Sequence, residues 1–240
     1  MFYKYDISGR LIEAFNVKGC GRIYDLTYDG RYFYGSYQDN SLYCVDLDNK
    51  TLVGVIPTAI APSQCSYDPD YDGFWVKTRN GRLKLIDREG QLLKEGSYLN
   101  EITGLAYYRN RSGAPHLFLS YWHSVVGGQG SVNGVYDYDI NADVIGDELL
   151  CDFSNTPDAF GVRGCFVGEY MGKAAFWGKT YYNTVIYELP LDVAEVRYYK
   201  VYRMNGTPDD HQALLDRELL ANRHYGASYI DHAWDTLPSG

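Results

Sequence analysis

The chain has 240 residues, 45% of them hydrophobic and 16% aromatic, with Tyr alone supplying 25; this is length for one large or two small globular domains. A net charge of −9 with no Lys/Arg cluster leaves nothing to neutralise phosphates, which excludes nucleic acid and disfavours an anionic membrane surface. No apolar run of about 18 residues is available to span a bilayer.

The first residues already fall inside a repeating pattern. Phe2–Asp6 reads as the third strand of a four-stranded unit and Leu11–Phe15 as the fourth, with Ser8-Gly9 turning between them. No apolar core follows MFYKYDISGR, so it does not read as a signal peptide. The stretch Ile23–Ile56 then supplies a whole unit. Ile23–Tyr28, Tyr32–Ser36, Leu42–Asp46 and Leu52–Ile56 are short strands separated by Asp29-Gly30, by the polar Tyr37–Ser41 and by Asp48-Asn49-Lys50, the signature of an antiparallel meander.

The unit recurs. An acidic residue closing an apolar third strand stands at Asp6, Asp46, Asp87, Asp139 and, more weakly, Glu188, an interval near 40 residues that lengthens beyond Asp87. Loops at Arg109–Pro115 and Ser124–Asn133 supply part of the extra length. First strands align at Gln64–Tyr67, Ile102–Tyr107 and Val162–Val167, and second strands at Phe74–Thr78, Leu117–Trp122 and Ala174–Gly178. The expected fold is all-β: a β-propeller of four-stranded blades over residues 1–192, with four repeats plus an N-terminal half blade, about five blades in all. A β-sandwich of irregular strands is the alternative, but it gives no reason for a fixed period.

Within the second unit, Asp68-Pro-Asp70-Tyr-Asp72-Gly73 has the D-x-D-x-D-G form of a calcium loop, in which alternate carboxylates converge on a hard cation. Val76 and Arg79 stand at the ninth and twelfth positions, where such a loop needs ligands. A plain hairpin turn is the preferred reading, with calcium at Asp68, Asp70 and Asp72 its alternative and no other cofactor expected. In the third unit, His116 and His123 flank a strand and Val126–Ser131 is Gly-rich, but neither a nucleophile–base pair nor a phosphate loop is formed. After the fourth unit, Pro190 interrupts the pattern; Arg197–Arg203 alternates, and Ala213–Leu220 reads as a short helix or an irregular strand.

The five cysteines Cys20, Cys44, Cys65, Cys151 and Cys165 form no C-x-x-C pair, which speaks against a disulfide framework or a zinc site. Cys65 and Cys165 fall where Leu26 and Leu105 stand in the other units and read as small buried apolar residues on innermost strands. Most of the tyrosines read as half-buried sheet residues with their hydroxyls in water.

The pattern I-x-D-L-T-Y-D-G-x-Y-F-Y-G-S at Ile23–Ser36, followed by S-L-Y-x-V-D and T-L-V-G, resembles propeller regions of large secreted or surface proteins of Bacteroidetes-type bacteria, as does Tyr67–Val76. Tyr199–Arg203, with Tyr229–Gly240 after it, is similar to part of a fibronectin type III-like module, so 193–240 is expected to be a partial, β-sandwich-like segment. The competing assignment makes it a tail that closes the propeller ring. The resemblance implies a multidomain protein, secreted or at the cell surface, of which this chain is a part.

The motifs are structural, and the function expected from them is a non-catalytic extracellular binding or adhesion module for a glycan or protein ligand, with Tyr37, Trp122 and Tyr181 near blade ends as contact residues. One alternative is a propeller enzyme, a lyase or glycoside hydrolase using paired carboxylates among Asp25, Glu101 and Glu169. The reading preferred for those three is solvated strand ends. A ligand-free spacer scaffold is the third reading.

Overall fold

The computed structural model describes residues 1–6, 10–36, 39–78, 81–99, 101–109, 115–124, 131–153, 162, 164–170, 173–179, 184–189, 199–203 and 218–224. Among these every regular element is a β-strand. β1 (Phe2–Tyr5) and β2 (Leu11–Phe15) form a hairpin. Three four-stranded antiparallel meanders follow. The first is β3 (Asp25–Tyr28), β4 (Phe33–Ser36), β5 (Ser41–Asp46) and β6 (Thr51–Pro57). The second is β7 (Gln64–Asp68), β8 (Gly73–Lys77), β9 (Gly81–Ile86) and β10 (Leu92–Leu99). The third is β11 (Ile102–Arg109), β12 (Pro115–Ser124), β13 (Ser131–Asp139) and β14 (Val144–Asp152). A three-stranded sheet contains β15 (Cys165–Tyr170), β16 (Lys173–Lys179) and β17 (Thr184–Glu188), and β18 (Tyr199–Arg203) pairs with β19 (Glu218–His224). Where the sequence left Ala213–Leu220 between helix and strand, the described part, from Glu218, is strand.

The periodic acidic residue has a physical role. It caps the turn from the third strand to the fourth. Asp46 accepts the Asn49 N–H at 2.8 Å, Asp87 those of Glu89 and Gln91 at 2.9 and 2.7 Å, and Asp139 those of Asn141 and Ala142 at 2.8 and 2.9 Å. Asp6 accepts from Arg10 N at 2.9 Å in the hairpin of β1 and β2. A side-chain carboxylate accepting from the backbone a few residues on is what makes Asp a turn former. These bonds hold the Asp46 and Asp139 carboxyls below their ordinary range.

Neighbouring sheets pack face to face, and each face follows the period-two alternation of its strands. Phe74 and Val76 of β8 join Tyr34, Leu42 and Cys44 of the sheet before, whereas Trp75 between them joins Leu105, Leu117 and Leu119 of the sheet after. On β12, Leu117 and Leu119 face back and Phe118 faces forward, onto Val162, Ala174 and Phe176. Each such large side chain, fully withdrawn from water, contributes about 1.5–3 kcal/mol. A sheet with both faces apolar is stable only between two others, which is why the meanders come as an array.

Candidate functional site

The first strands of the four sheets, β3, β7, β11 and β15, lie side by side, and β15 also approaches β3. Their residues occupy matching positions. Asp25, Gln64, Gly104 and Gly164 form one layer, Leu26, Cys65, Leu105 and Cys165 the next, and Thr27, Ser66, Ala106 and Phe166 the third.

Asp25 holds this arrangement at its centre. Its carboxyl is fully buried and accepts the backbone N–H groups of Leu26 and Cys65, while those of Leu105 and Cys165 lie near enough to favour its ionised form. Leu26 N lies 3.0 Å from Oδ1 and Cys65 N 3.2 Å from Oδ2. Burial pushes the carboxyl up to about 8, against the pull of these N–H groups. Room for the side chain comes from the two glycines of its layer. Gly164 has a φ of +78°, and a Cβ there would stand 3.3 Å from Asp25 Oδ1. A Cβ on Gly104 would stand 2.7 Å from Cys165 Sγ. The thiols of Cys65 and Cys165 are pushed up by burial and remain neutral packing groups, as their positions in the repeat predict.

Hydroxyls knit two of the strand junctions one layer further along. Thr27 Oγ1 accepts Tyr67 N at 2.8 Å, and Ser66 Oγ accepts Tyr107 N at 2.7 Å. Beside this layer opens a cavity of about 700 Å³, lined by residues of all four inner strands and by their flanking aromatics Tyr24, Tyr28, Phe33, Tyr67, Tyr107 and Trp177. Phe166 and Trp177 stack at 5.4 Å and 11°, and Tyr28 packs against Phe33 at 4.6 Å. The Tyr67 hydroxyl donates to Asp72 at 2.8 Å and that of Tyr107 to Asp70. The result is a concave, mostly apolar aromatic bowl beside a buried carboxyl.

The residues singled out in the sequence fare differently. Asp68, Asp70 and Asp72 do not converge. Buried Asp68 accepts Trp75 Nε1 at 2.9 Å, Asp70 pairs with Tyr107 and Arg109, and Asp72 pairs with Arg88 at 2.7 Å. Among the described residues no three His, Cys, Asp or Glu groups gather as a metal set. Trp122 is half-buried on β12 and is not among the residues lining the bowl. Tyr37 and Tyr181 lie outside the described residues. Asp25, expected as a solvated strand end, is instead buried among the inner strands, because its layer mates are glycines. Glu101 sits on the turn into β11 at a φ of 58°, its carbonyl accepting Trp122 N at 3.1 Å, and does not line the bowl. The side chain of Glu169 lies outside the described residues. The bowl aromatics were within reach of the sequence: Tyr28, Tyr67 and Tyr107 hold one position in three aligned first strands.

A second charged cluster joins the first two meanders. Arg88 donates to Asp29 at 2.9 Å, to Tyr34 Oη at 2.7 Å and to Asp72, and its guanidinium lies 5.5–5.8 Å from the rings of Tyr34, Tyr67 and Phe74. These partners raise its pKa and lower that of Asp72. All the polar groups of the cluster are matched to one another, which marks it as a structural clamp.

Fold and site together define an all-β chain of propeller-like antiparallel meanders with an aromatic bowl at its inner strands. No family model and no curated protein matches the sequence. Among solved structures, the chain is similar to Kuenenia stuttgartiensis hydrazine synthase, at 13% identity and a TM-score of 0.44 over 71% of this chain and 49% of that one. It is also similar to Myxococcus xanthus glutaminyl cyclase, at 13% and 0.46 over 71% and 73%, and to the computationally designed Ika4 protein, at 12% and 0.42 over 74% and 99%. The chain thus spans about half the length of the hydrazine synthase chain. Two of the three are enzymes by name, and the expectation that this chain is not an enzyme is not retained. The burial of Asp25 removes the other ground for that expectation, although no activity passes across likenesses this distant.

Proposed function

We propose that the chain is a propeller-type recognition module whose four meanders close into a ring and whose aromatic bowl receives part of a glycan or protein ligand. The observation that carries this reading is the bowl itself: about 700 Å³, walled by aromatic rings from four sheets, with Phe166 and Trp177 of one sheet stacked on each other. Stacked Trp and Phe rings offer broad apolar area at small entropic cost, which suits the C–H face of a sugar or an apolar side chain. Ring closure is supported by the approach of β15 to β3, where Gly164 packs beside the Asp25 carboxyl. An exported or surface location, implied by the resemblance of the repeats, belongs to the same reading.

The test is a glycan and peptide array probed with the wild-type chain and with Trp177→Ala. Binding by the wild type that is lost in the variant supports the reading. Wild-type binding that survives Trp177→Ala unchanged places the ligand elsewhere and overturns it.

A further inference from the structure

The four inner strands present equivalent positions to the bowl, but these are not filled equivalently. Thr27 and Ser66 occupy two neighbouring positions of the layer, Ala106 and Phe166 the other two. One half of the layer is therefore hydroxylic and the other apolar.

Each hydroxyl oxygen already accepts a backbone N–H, from Tyr67 and Tyr107. Each hydroxyl also carries one hydrogen, and among the described residues neither has an acceptor. Ser66 is only 4% exposed and lines the bowl. A ligand acceptor placed there meets hydroxyl donors that no described protein group takes up. On the facing half, Ala106 and the Phe166–Trp177 stack offer only apolar surface.

Charge narrows the class further. The chain carries a net charge of −9, which disfavours an anion. A cation finds no ready partner either. The Asp25 carboxyl is buried, with its oxygens accepting the N–H groups of Leu26 and Cys65, and Asp70 and Asp72 are committed to Arg109 and Arg88.

We infer that the bowl selects a neutral ligand moiety with a flat apolar face and a single hydrogen-bond acceptor on its edge, the face laid on Phe166 and Trp177 and the acceptor turned to Thr27 and Ser66. This rests on the reading of the bowl as a binding site. Acceptor-bearing edges beside a flat face occur in acylated sugars and aryl carbonyl groups alike.

The experiment uses the full chain and four probes of one size: acetophenone, its isostere α-methylstyrene, benzoate and benzylammonium, titrated by ligand-observed NMR. Acetophenone is expected to bind about tenfold more tightly than α-methylstyrene, the worth of one hydrogen bond that would otherwise be lost, and both are expected to be lost in Trp177→Ala. Benzoate and benzylammonium are expected to bind more weakly than acetophenone. Ser66→Ala combined with Thr27→Val should bring acetophenone down to the level of its isostere. The comparison within the wild type stands without any variant. Equal binding of acetophenone and α-methylstyrene, or tighter binding of either ion, overturns the inference while leaving the bowl as a binding site. Binding of none of the four overturns the bowl reading itself.

Discussion

The junctions between inner strands are made in two ways. Between β3 and β7, and again between β7 and β11, a side-chain hydroxyl accepts a backbone N–H of the next strand, at 2.8 and 2.7 Å. Between β11 and β15, Ala106 offers no hydroxyl, and closeness takes its place: the strands approach until a Cβ on Gly104 would meet Cys165 Sγ at 2.7 Å. The first kind of junction sets hydroxyls against the bowl, and the second sets apolar side chains there. An array of similar units acquires a directional site once its units solve the same packing problem with different groups.

The largest effect is expected where both halves meet. Asp25→Ala empties the buried point where the four inner strands meet and leaves the N–H groups of Leu26 and Cys65 unpaired, a loss of about 3 kcal/mol or more. Thermal unfolding should show it as a drop of the melting midpoint far beyond that of any variant confined to one junction. A drop no larger than theirs would mean that the carboxylate does not tie the two halves together.

The pH dependence is next. An unfolded Asp titrates near ~3.9, whereas burial raises folded Asp25 to about 8. Between those values the folded chain binds more protons than the unfolded one, so stability falls as pH rises from about 4 to about 8, by at most about 1.4 kcal/mol per unit, and levels off above. Asp46 and Asp139, held low by backbone N–H donors, act in the opposite sense: their contribution is present above about pH 4 and lost below it. Asp25→Asn should flatten the slope between pH 5 and 8 in denaturant titrations, whatever it does to absolute stability. An unchanged slope would assign that slope to other groups.

Smaller effects separate the two kinds of junction. Gly104→Ala forces a shift on the dry side and should cost about 1–3 kcal/mol, with Cys165→Ala recovering part of it by emptying the space the new methyl needs. Ser66→Ala on the hydroxylic side leaves the Tyr107 N–H without its acceptor and should cost about 1 kcal/mol. Hydrogen exchange at that amide should quicken more than at its neighbours. Equal protection in variant and wild type would show that the hydroxyl does not hold the junction.

Much of this molecule is written locally. The strands of the first two meanders could be placed within a residue or two because alternation, Asp-Gly turns and capping aspartates such as Asp46 and Asp87 act over fewer than ten residues of chain. Further along, β15 starts three residues after the expected Val162, and β13 takes in part of the expected loop. The same locality explains the recurrence of an acidic residue near every fortieth position: each unit must turn its third strand into its fourth. The three carboxylates of Asp68–Asp72 looked convergent for the opposite reason. Spacing along a loop records neighbours in sequence, while Trp75, Arg109 and Arg88, which claim those carboxylates, are set by pairing and packing. Asp25 carries no local sign of its role. Beyond the adjacent Leu26, the N–H groups around it belong to Cys65, Leu105 and Cys165, on strands about 40 to 140 residues further along the chain, and only their assembly withdraws it from water. Sequence by itself therefore determined the strands, their turns and their repetition. The tertiary structure alone decided which carboxylate is buried, where the aromatic rings meet and which half of the bowl is polar, because those properties belong to side chains brought together from different units.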